Sequence, residues 1–452
     1  MRLRQLIPFL LAPWLLAAAH ANPYETTLKN GLRIIVKEDH RAPTAVQMVW
    51  YRIGSMDEVD GASGVAHALE HMMFKGTPSV GPGEFNRLVA AAGGRDNAFT
   101  SRDYTAYFQQ VPKEKLGEMM QLEADRMRHL NVDAKEFEQE IKVIMEERRM
   151  RTDDNPEAKL FEQMNAVAFQ AHPYRRPIIG WMNDLLTMTA ADAKAWYDVW
   201  YSPNNAYVVI SGDVEHEAVF ALAAKYYGAL ESHALPVRKV QVEPLQEGPR
   251  RITVKAPAEL PVLIMGYKAP ILRDVERDSE PYALEILASV LDGHDAARFN
   301  KKLVREDKVA LSVNVEYDST ARGPGLFYFS GTPSEGRTVA ELEAALRAEI
   351  GRLQQDGIGE AELKRAKAQL LASQVYKLDS MFGQAMEIGQ NESAGIPYQK
   401  IDRMLEKLQE VTAAQVQAVA RKYFTDDTLT VGILDPQALG GKPRLPAAPH
   451  RH

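Results

Sequence analysis

Short runs of apolar and β-branched residues open each half of this chain, and longer stretches with helical spacing follow them. Leu32-Arg33-Ile34-Ile35-Val36 and Ile252-Thr253-Val254-Lys255 read as strands. Strands followed by helices in both halves predict an α+β protein of two domains. The halves also repeat. Thr189-Ala190-Ala191 recurs as Thr412-Ala413-Ala414, an offset of 223. At the same offset Trp200-Tyr201 falls on Tyr423-Phe424, and Val208 and Ile210 fall on Val431 and Ile433. Each copy reads as a Thr-capped helix, an aromatic pair and a short strand, which points to duplication. Between the copies, Pro236, Pro244 and Pro249 interrupt a charged, polar stretch. The expected division is a first domain over 22–235, a linker over 236–250 and a second domain over 251–436. Residues 437–452 are rich in Gly, Pro and basic residues and read as a frayed tail, with His450 and His452 solvent-exposed.

The first 21 residues follow a different pattern. Arg2 and Arg4 precede an apolar run from Leu6 to Ala19, and Ala19-His20-Ala21 is a small-x-small cleavage site. The run is interrupted by Pro8 and Pro13 and falls short of the roughly 20 residues a spanning helix needs. Residues 1–21 are therefore expected to be a removable export signal, and no cysteine is present to carry a lipid anchor. Loss of Arg2 and Arg4 would take the net charge from −7 to −9. An exported chain is expected, best matched to a bacterial periplasm.

Composition narrows the picture further. With 452 residues, 45% of them hydrophobic and 25% charged, the chain is neither disordered nor collagen-like nor a multi-span membrane protein. Its net charge of −7 gives no general electrostatic reason to bind nucleic acid or anionic lipid. The absence of cysteine excludes disulfides, thiolate metal sites and cysteine nucleophiles. It also suits an oxidising compartment.

The candidate chemistry lies in His67-Ala68-Leu69-Glu70-His71, within a helix-compatible stretch from Ala62 to Phe74. Histidines at i and i+4 project from one helix face and can reach one metal ion, with Glu70 on that same face. This is H-x-x-E-H, the inverted zinc-protease motif, and zinc takes N and O ligands with one position left open. A third ligand must come from elsewhere. Glu136, Glu140 and Glu147 share one face of a second helical stretch, while Glu146 points about 100° away. Spacing does not choose among the three, and Arg148, Arg149 and Arg151 could balance an ordinary acidic face.

Several segments together resemble the pitrilysin, insulinase and mitochondrial processing peptidase family, the inverzincins. They are Asn30-Gly31-Leu32-Arg33, the run His67 to Thr77, the run Gly93 to Ser101 with Asp103, Thr105 and Tyr107, and His172-Pro173-Tyr174 followed by Pro177-Ile178-Ile179-Gly180. The family completes its metal site with a Glu about 76 residues after the second His, in an E-x6-E pattern. Glu147 is 76 after His71, and Glu140 is seven before Glu147. The resemblance implies one zinc ion per chain on His67, His71 and Glu147. It implies Glu140 as a carboxylate orienting a histidine ligand and Glu70 as the catalytic base. It also implies that a peptide adds as an extra strand along Asn97, Ala98, Phe99 and Thr100. The implied fold is a pair of homologous α/β-sandwich half-domains forming half of a clamshell. A second chain would close it over a chamber that admits peptides or unfolded segments, and the net negative charge points weakly to basic ones.

One departure matters. Many members carry, in the second half, an Arg followed seven residues later by a Tyr, which bind the substrate carbonyl and oxyanion. Aligned from Arg298 those positions hold Val304 and Leu311; shifted by one they hold Arg305 and Ser312. Losing oxyanion donors costs about two to three decades in rate. The expectation is therefore a zinc-bearing subunit of a heterodimer whose homologous partner supplies the pair. The alternatives are a homodimer using other donors, such as Tyr317 or Arg322, and a non-catalytic or peptide-binding scaffold of the same fold.

Overall fold

A computed structural model describes residues 23–439. The proposed export signal and the tail beyond residue 439 lie outside the described residues. The first sheet contains β1 (Tyr24–Thr27), β2 (Arg33–Glu38), β3 (Thr44–Tyr51), β4 (Arg95–Thr100), β5 (Thr105–Pro112) and β6 (Ala206–Gly212), in the order β1-β2-β6-β3-β5-β4. The second contains β7 (Arg250–Pro257), β8 (Val262–Ala269), β9 (Ala310–Glu316), β10 (Gly325–Pro333) and β11 (Leu429–Gln437), in the order β7-β11-β8-β10-β9. Apart from β1 the two sheets share one topology. In each, the last strand of the half runs parallel to the first and antiparallel to the second: β6 between β2 and β3, β11 between β7 and β8. The strand β6 follows the helix Ala190–Trp200, and β11 follows Ala413–Tyr423; Thr189 and Thr412 cap those helices with the same reciprocal box. The sequence repeat is thus a repeat of fold, in a mixed α and β architecture.

β3 shows why both sheet faces are covered. Its sequence TAVQMVWY is buried at every position but the first. Val46, Met48 and Trp50 pack with Met381, Ala385 and Ile388, whereas Ala45, Val49 and Tyr51 pack with Val65, Ala68 and Leu69. Alternate side chains point to opposite faces, so a strand apolar on both needs a helix on each. The helix Met381–Ala394 that covers one face comes from the second half of the sequence. The loan is returned: Leu160 and Met164 of the helix Pro156–Ala168 pack with Val254, Ile264 and Leu434 of the second sheet. Each half lends a helix to the other's sheet, so packing crosses the sequence division.

The stretch between the halves has no regular secondary structure but is tied down. The Glu243 carboxylate accepts the backbone N–H groups of Gln170, Ala171 and His172, and Arg238 donates to Asp57. His172 is buried against Gly323 of the second half, where a Cβ would lie 2.4 Å from its Cε1. Burial pushes the His172 pKa down to about 4, with Lys268, Arg102 and Arg176 adding to the effect against Glu243. An unfolded histidine titrates near 6.5. Between those values the unfolded chain binds a proton that the folded chain refuses, so stability falls as pH drops through this window. A loss of at most about 3 kcal/mol is expected. Urea unfolding from pH 7 to pH 4 should show it, and His172→Gln should flatten that slope.

Candidate metal centre

The helix carrying the motif is Val65–Met72, shorter at its start than the Ala62-to-Phe74 stretch read from sequence. Gly64, its cap, has φ 89°, which ends the helix there. The backbone packs closely at this point: a Cβ on Gly64 would lie 2.6 Å from the Ile179 carbonyl oxygen, and one on Gly180 would lie 2.4 Å from that of Ser63. The Glu58 carboxylate accepts from the N–H groups of Gly64 and Ala66, both at 2.9 Å, and Asp184 accepts from the Ser63 N–H and hydroxyl. Buried, Glu58 has its pKa raised to about 8. The helix start is therefore held by buried side chains, and apolar burial against β3 orients the rest.

That orientation sends His67, Glu70 and His71 into one cleft. The helix Ala134–Arg148, capped by Asp133, passes alongside and delivers Glu140 and Glu147. Glu147 Oε2 lies 3.4 Å from His71 Nε2 and 3.9 Å from His67 Nε2. Donor atoms of His67, His71 and Glu147 all fall within 4.8 Å of one another. Two imidazole nitrogens and one carboxylate oxygen suit zinc, and bonds of about 2.1 Å in a tetrahedron place donors about 3.4 Å apart. The residues present therefore fit that ion. Glu140 Oε1 sits 2.8 Å from His71 Nδ1, so Nδ1 carries a proton towards Glu140 and Nε2, facing Glu147, is the nitrogen a metal would take. Lys75 pairs with the other oxygen of Glu140. Glu136 lies a turn before Glu140, and Glu146 is exposed and pairs with Arg149. A second grouping, Glu38, His216 and Glu217, sets its two carboxylates against different nitrogens of one ring.

Electrostatics follow from burial and contact. Burial pushes the Glu70 carboxyl up, against the lowering effect of a 2.5 Å hydrogen bond donated by Thr100 Oγ1. Burial pushes the His67 pKa down to about 4. For His71 burial acts downward, but hydrogen bonds to Glu140 and Glu147 prevail and raise its pKa to about 9. The Glu140 carboxyl is held low, first by its hydrogen bond with His71. Glu147 is also held low: the His71 hydrogen bond and the charges of His67 and Arg151 outweigh burial.

Asn97, Ala98, Phe99 and Thr100 lie on β4, which among the described residues pairs only with β5 and so keeps one edge free. All four line the same cleft of about 610 Å³ as His67, Glu70, His71 and Glu147. Thr100 has a contact that sequence did not suggest, since its hydroxyl holds Glu70. Lys75 and Arg151, bonded to Glu140 and Glu147, were likewise not singled out as site residues; only their position near the motif residues hinted at them. The proposed substitute donors are engaged elsewhere. Arg322 is bidentate to Asp57 and bonds the Asp103 carbonyl, and the Tyr317 hydroxyl donates to Pro270 O. Neither lines the metal cleft.

Comparison with known proteins agrees over nearly the whole chain. Residues 33–181 match the family model described as Insulinase (Peptidase family M16), and residues 187–370 match that of the Peptidase M16 inactive domain. The chain is 31% identical to the zinc protease PqqE of Helicobacter pylori, over 93% of this chain and 95% of that protein. It is 30% identical to an uncharacterized zinc protease of Mycobacterium tuberculosis, covering 95% and 96% of the two chains. The crystal structure of a protease from Helicobacter pylori superimposes with a TM-score of 0.87 at 30% identity, over 92% of this chain and all of that one. The periplasmic protease PqqL of Escherichia coli shares the fold at 18% identity and TM-score 0.79, this chain spanning 51% of it. With both halves matched in order and a relative 31% identical over 93% of this chain, the chain belongs to the insulinase, or M16, peptidase family.

Proposed function

We propose that this chain is a zinc metalloendopeptidase acting on peptides or unfolded protein segments. The observation that carries the reading is the convergence of His67 Nε2, His71 Nε2 and Glu147 Oε2 beside Glu70 in one cleft. Zinc on those three ligands would polarise the scissile carbonyl and acidify water. Glu70, its carboxyl raised by burial, accepts the proton of the attacking water and returns it to the leaving amine. Thr100 fixes the Glu70 oxygen that it bonds, leaving the other for that proton. Glu140 holds His71 in the tautomer that presents Nε2. The free edge of β4 offers backbone groups to an extended peptide, giving affinity without demanding a sequence. Glu140→Ala is expected to weaken zinc binding about 10- to 100-fold. Competition with a chelating dye would measure it.

Among the described residues, neither register of the second-half segment, nor Arg322 and Tyr317, brings an Arg/Tyr pair to the lining of this cleft. Leu311, at the Tyr position in one register, is largely exposed on the edge strand β9, and Arg322 and Tyr317 are committed elsewhere. We therefore read the chain as the zinc-bearing half of a clamshell, completed by a homologous subunit that brings an Arg and a Tyr. The N-terminal pattern over residues 1–21 supports export, with the periplasm as destination. Among the described residues no helix is long and apolar enough to cross a membrane. The testing experiment is hydrolysis of an unstructured fluorogenic peptide by the purified chain, with and without a homologous subunit that carries the Arg/Tyr pair. Chelator-sensitive turnover that appears on pairing supports the whole reading. Full turnover by the chain alone removes the partner, and zinc binding without turnover under any pairing removes the enzyme.

A further inference from the structure

Outside the metal ligands and Glu70, the charged groups lining the cleft are four arginines and one glutamate: Arg102, Arg151, Arg175, Arg176 and Glu162. The wall is thus opposite in sign to the chain as a whole. Glu162 is neutralised by a two-bond pair with Arg148, at 2.9 Å each. Arg151 is engaged with Glu147, and Arg175 and Arg176 share Asp60. Arg102 differs from the others in having no ion pair among the described residues. Its guanidinium lies 5.1 Å above the Tyr174 ring.

The backbone explains why this cation is held at the cleft. β4 ends at Thr100, and Ser101 to Tyr104 form the turn into β5: the Ser101 N–H bonds the Tyr104 carbonyl, and the Ser101 hydroxyl accepts from Asp103 and Tyr104. The Arg102 carbonyl accepts from Met56 N, and Gly54 packs so closely that a Cβ there would lie 2.5 Å from the Arg102 oxygen. Arg102 is thus anchored two residues beyond Thr100, which touches Glu70. A peptide laid along the free edge of β4 meets it within a few positions of the scissile bond.

We propose, building on the peptidase reading above, that Arg102 is a specificity determinant that receives a carboxylate of the peptide, making this cleft a site for acidic substrates. A guanidinium anchored above the Tyr174 ring, with no ion pair among the described residues, binds a carboxylate through two parallel N–H···O bonds.

The test measures binding, so it does not depend on turnover. Fluorescent decapeptides of one sequence carry Asp, Ala or Lys flanking a single hydrophobic residue, all amidated at the C-terminus, and a fourth is the Ala peptide with a free C-terminus. Anisotropy is read on the zinc-loaded full chain carrying Glu70→Gln. The Asp peptide should bind about tenfold more tightly than the Lys peptide, with the difference shrinking as salt rises. Tighter binding of the free-end Ala peptide instead would identify the chain terminus as the carboxylate received. Arg102→Met should abolish the preference and Arg102→Glu should invert it towards Lys, with zinc content confirming that both variants fold. Equal binding of all four peptides overturns this proposal and leaves the peptidase reading standing. Binding of none overturns both.

Discussion

Replacing Glu70 by Gln is expected to lower kcat of peptide hydrolysis by about three decades, with zinc content unchanged and KM little altered. The amide keeps the shape of the side chain and can still pair with Thr100, whose hydroxyl lies 2.5 Å from Glu70 Oε2. What it loses is the ability to accept a proton, and positioned acid–base catalysis contributes about 10²- to 10⁴-fold. The ligand atoms of His67, His71 and Glu147 form their own cluster without Glu70, so metal binding should survive. A fall in kcat with metal retained identifies Glu70 as the base. A parallel loss of zinc would assign it to the ligand set, and an unchanged rate would remove it from the mechanism.

Gly389→Ala is expected to destabilise the protein by up to about 2 kcal/mol. Two effects compete. Alanine in a helix interior gains about 1 kcal/mol over glycine. Against that, a Cβ at Gly389 would lie 2.0 Å from Trp50 Cε2 and 2.1 Å from Cζ2. Trp50 is fully buried, and the Tyr207 hydroxyl donates to the Gly389 carbonyl at 2.7 Å. Neither ring nor helix can yield easily, and overpacking of this kind costs about 1–3 kcal/mol or more. The clash lies where the second half's helix covers the first sheet, so the fall in urea midpoint should come with loosened halves. Gly351 supplies the contrast: it lies in the helix Val339–Asp356 with nothing near its Cβ position, so Gly351→Ala should gain stability instead. If both substitutions stabilise, the two halves do not pack closely at Trp50.

Local signals made much of this protein legible. The repeat was readable because a Thr cap, an aromatic pair and a β-branched strand are short-range features, each set by a residue's own preferences. H-x-x-E-H was readable for the same reason, since i and i+4 meet on any helix whatever lies around it. The choice among Glu136, Glu140 and Glu147 was not local. Spacing placed all three on one face, and the crossing of two helices sets how far along that face the histidines reach. At that crossing Glu147 falls beside both Nε2 atoms and Glu140 beside His71 Nδ1.

Three other features depend on residues far apart in the chain. The exchange of helices between the halves joins Trp50 to Gly389 and Leu160 to Leu434, and no periodicity encodes which sheet an amphipathic helix covers. The engagement of Arg322 with Asp57 became visible only when the halves were packed together. The sign of charge in the cleft is likewise a balance of Arg102, Arg151, Arg175 and Arg176 against Glu70, Glu147 and Glu162, and the net charge of −7 does not reveal it. Helix and strand type, capping and the paired histidines follow from neighbours a few residues apart, so the chain's order specifies them. The third carboxylate, the shared core and the field in the cleft arise from contacts between residues tens to hundreds of positions apart, and those exist only once the two sheets and their exchanged helices have packed.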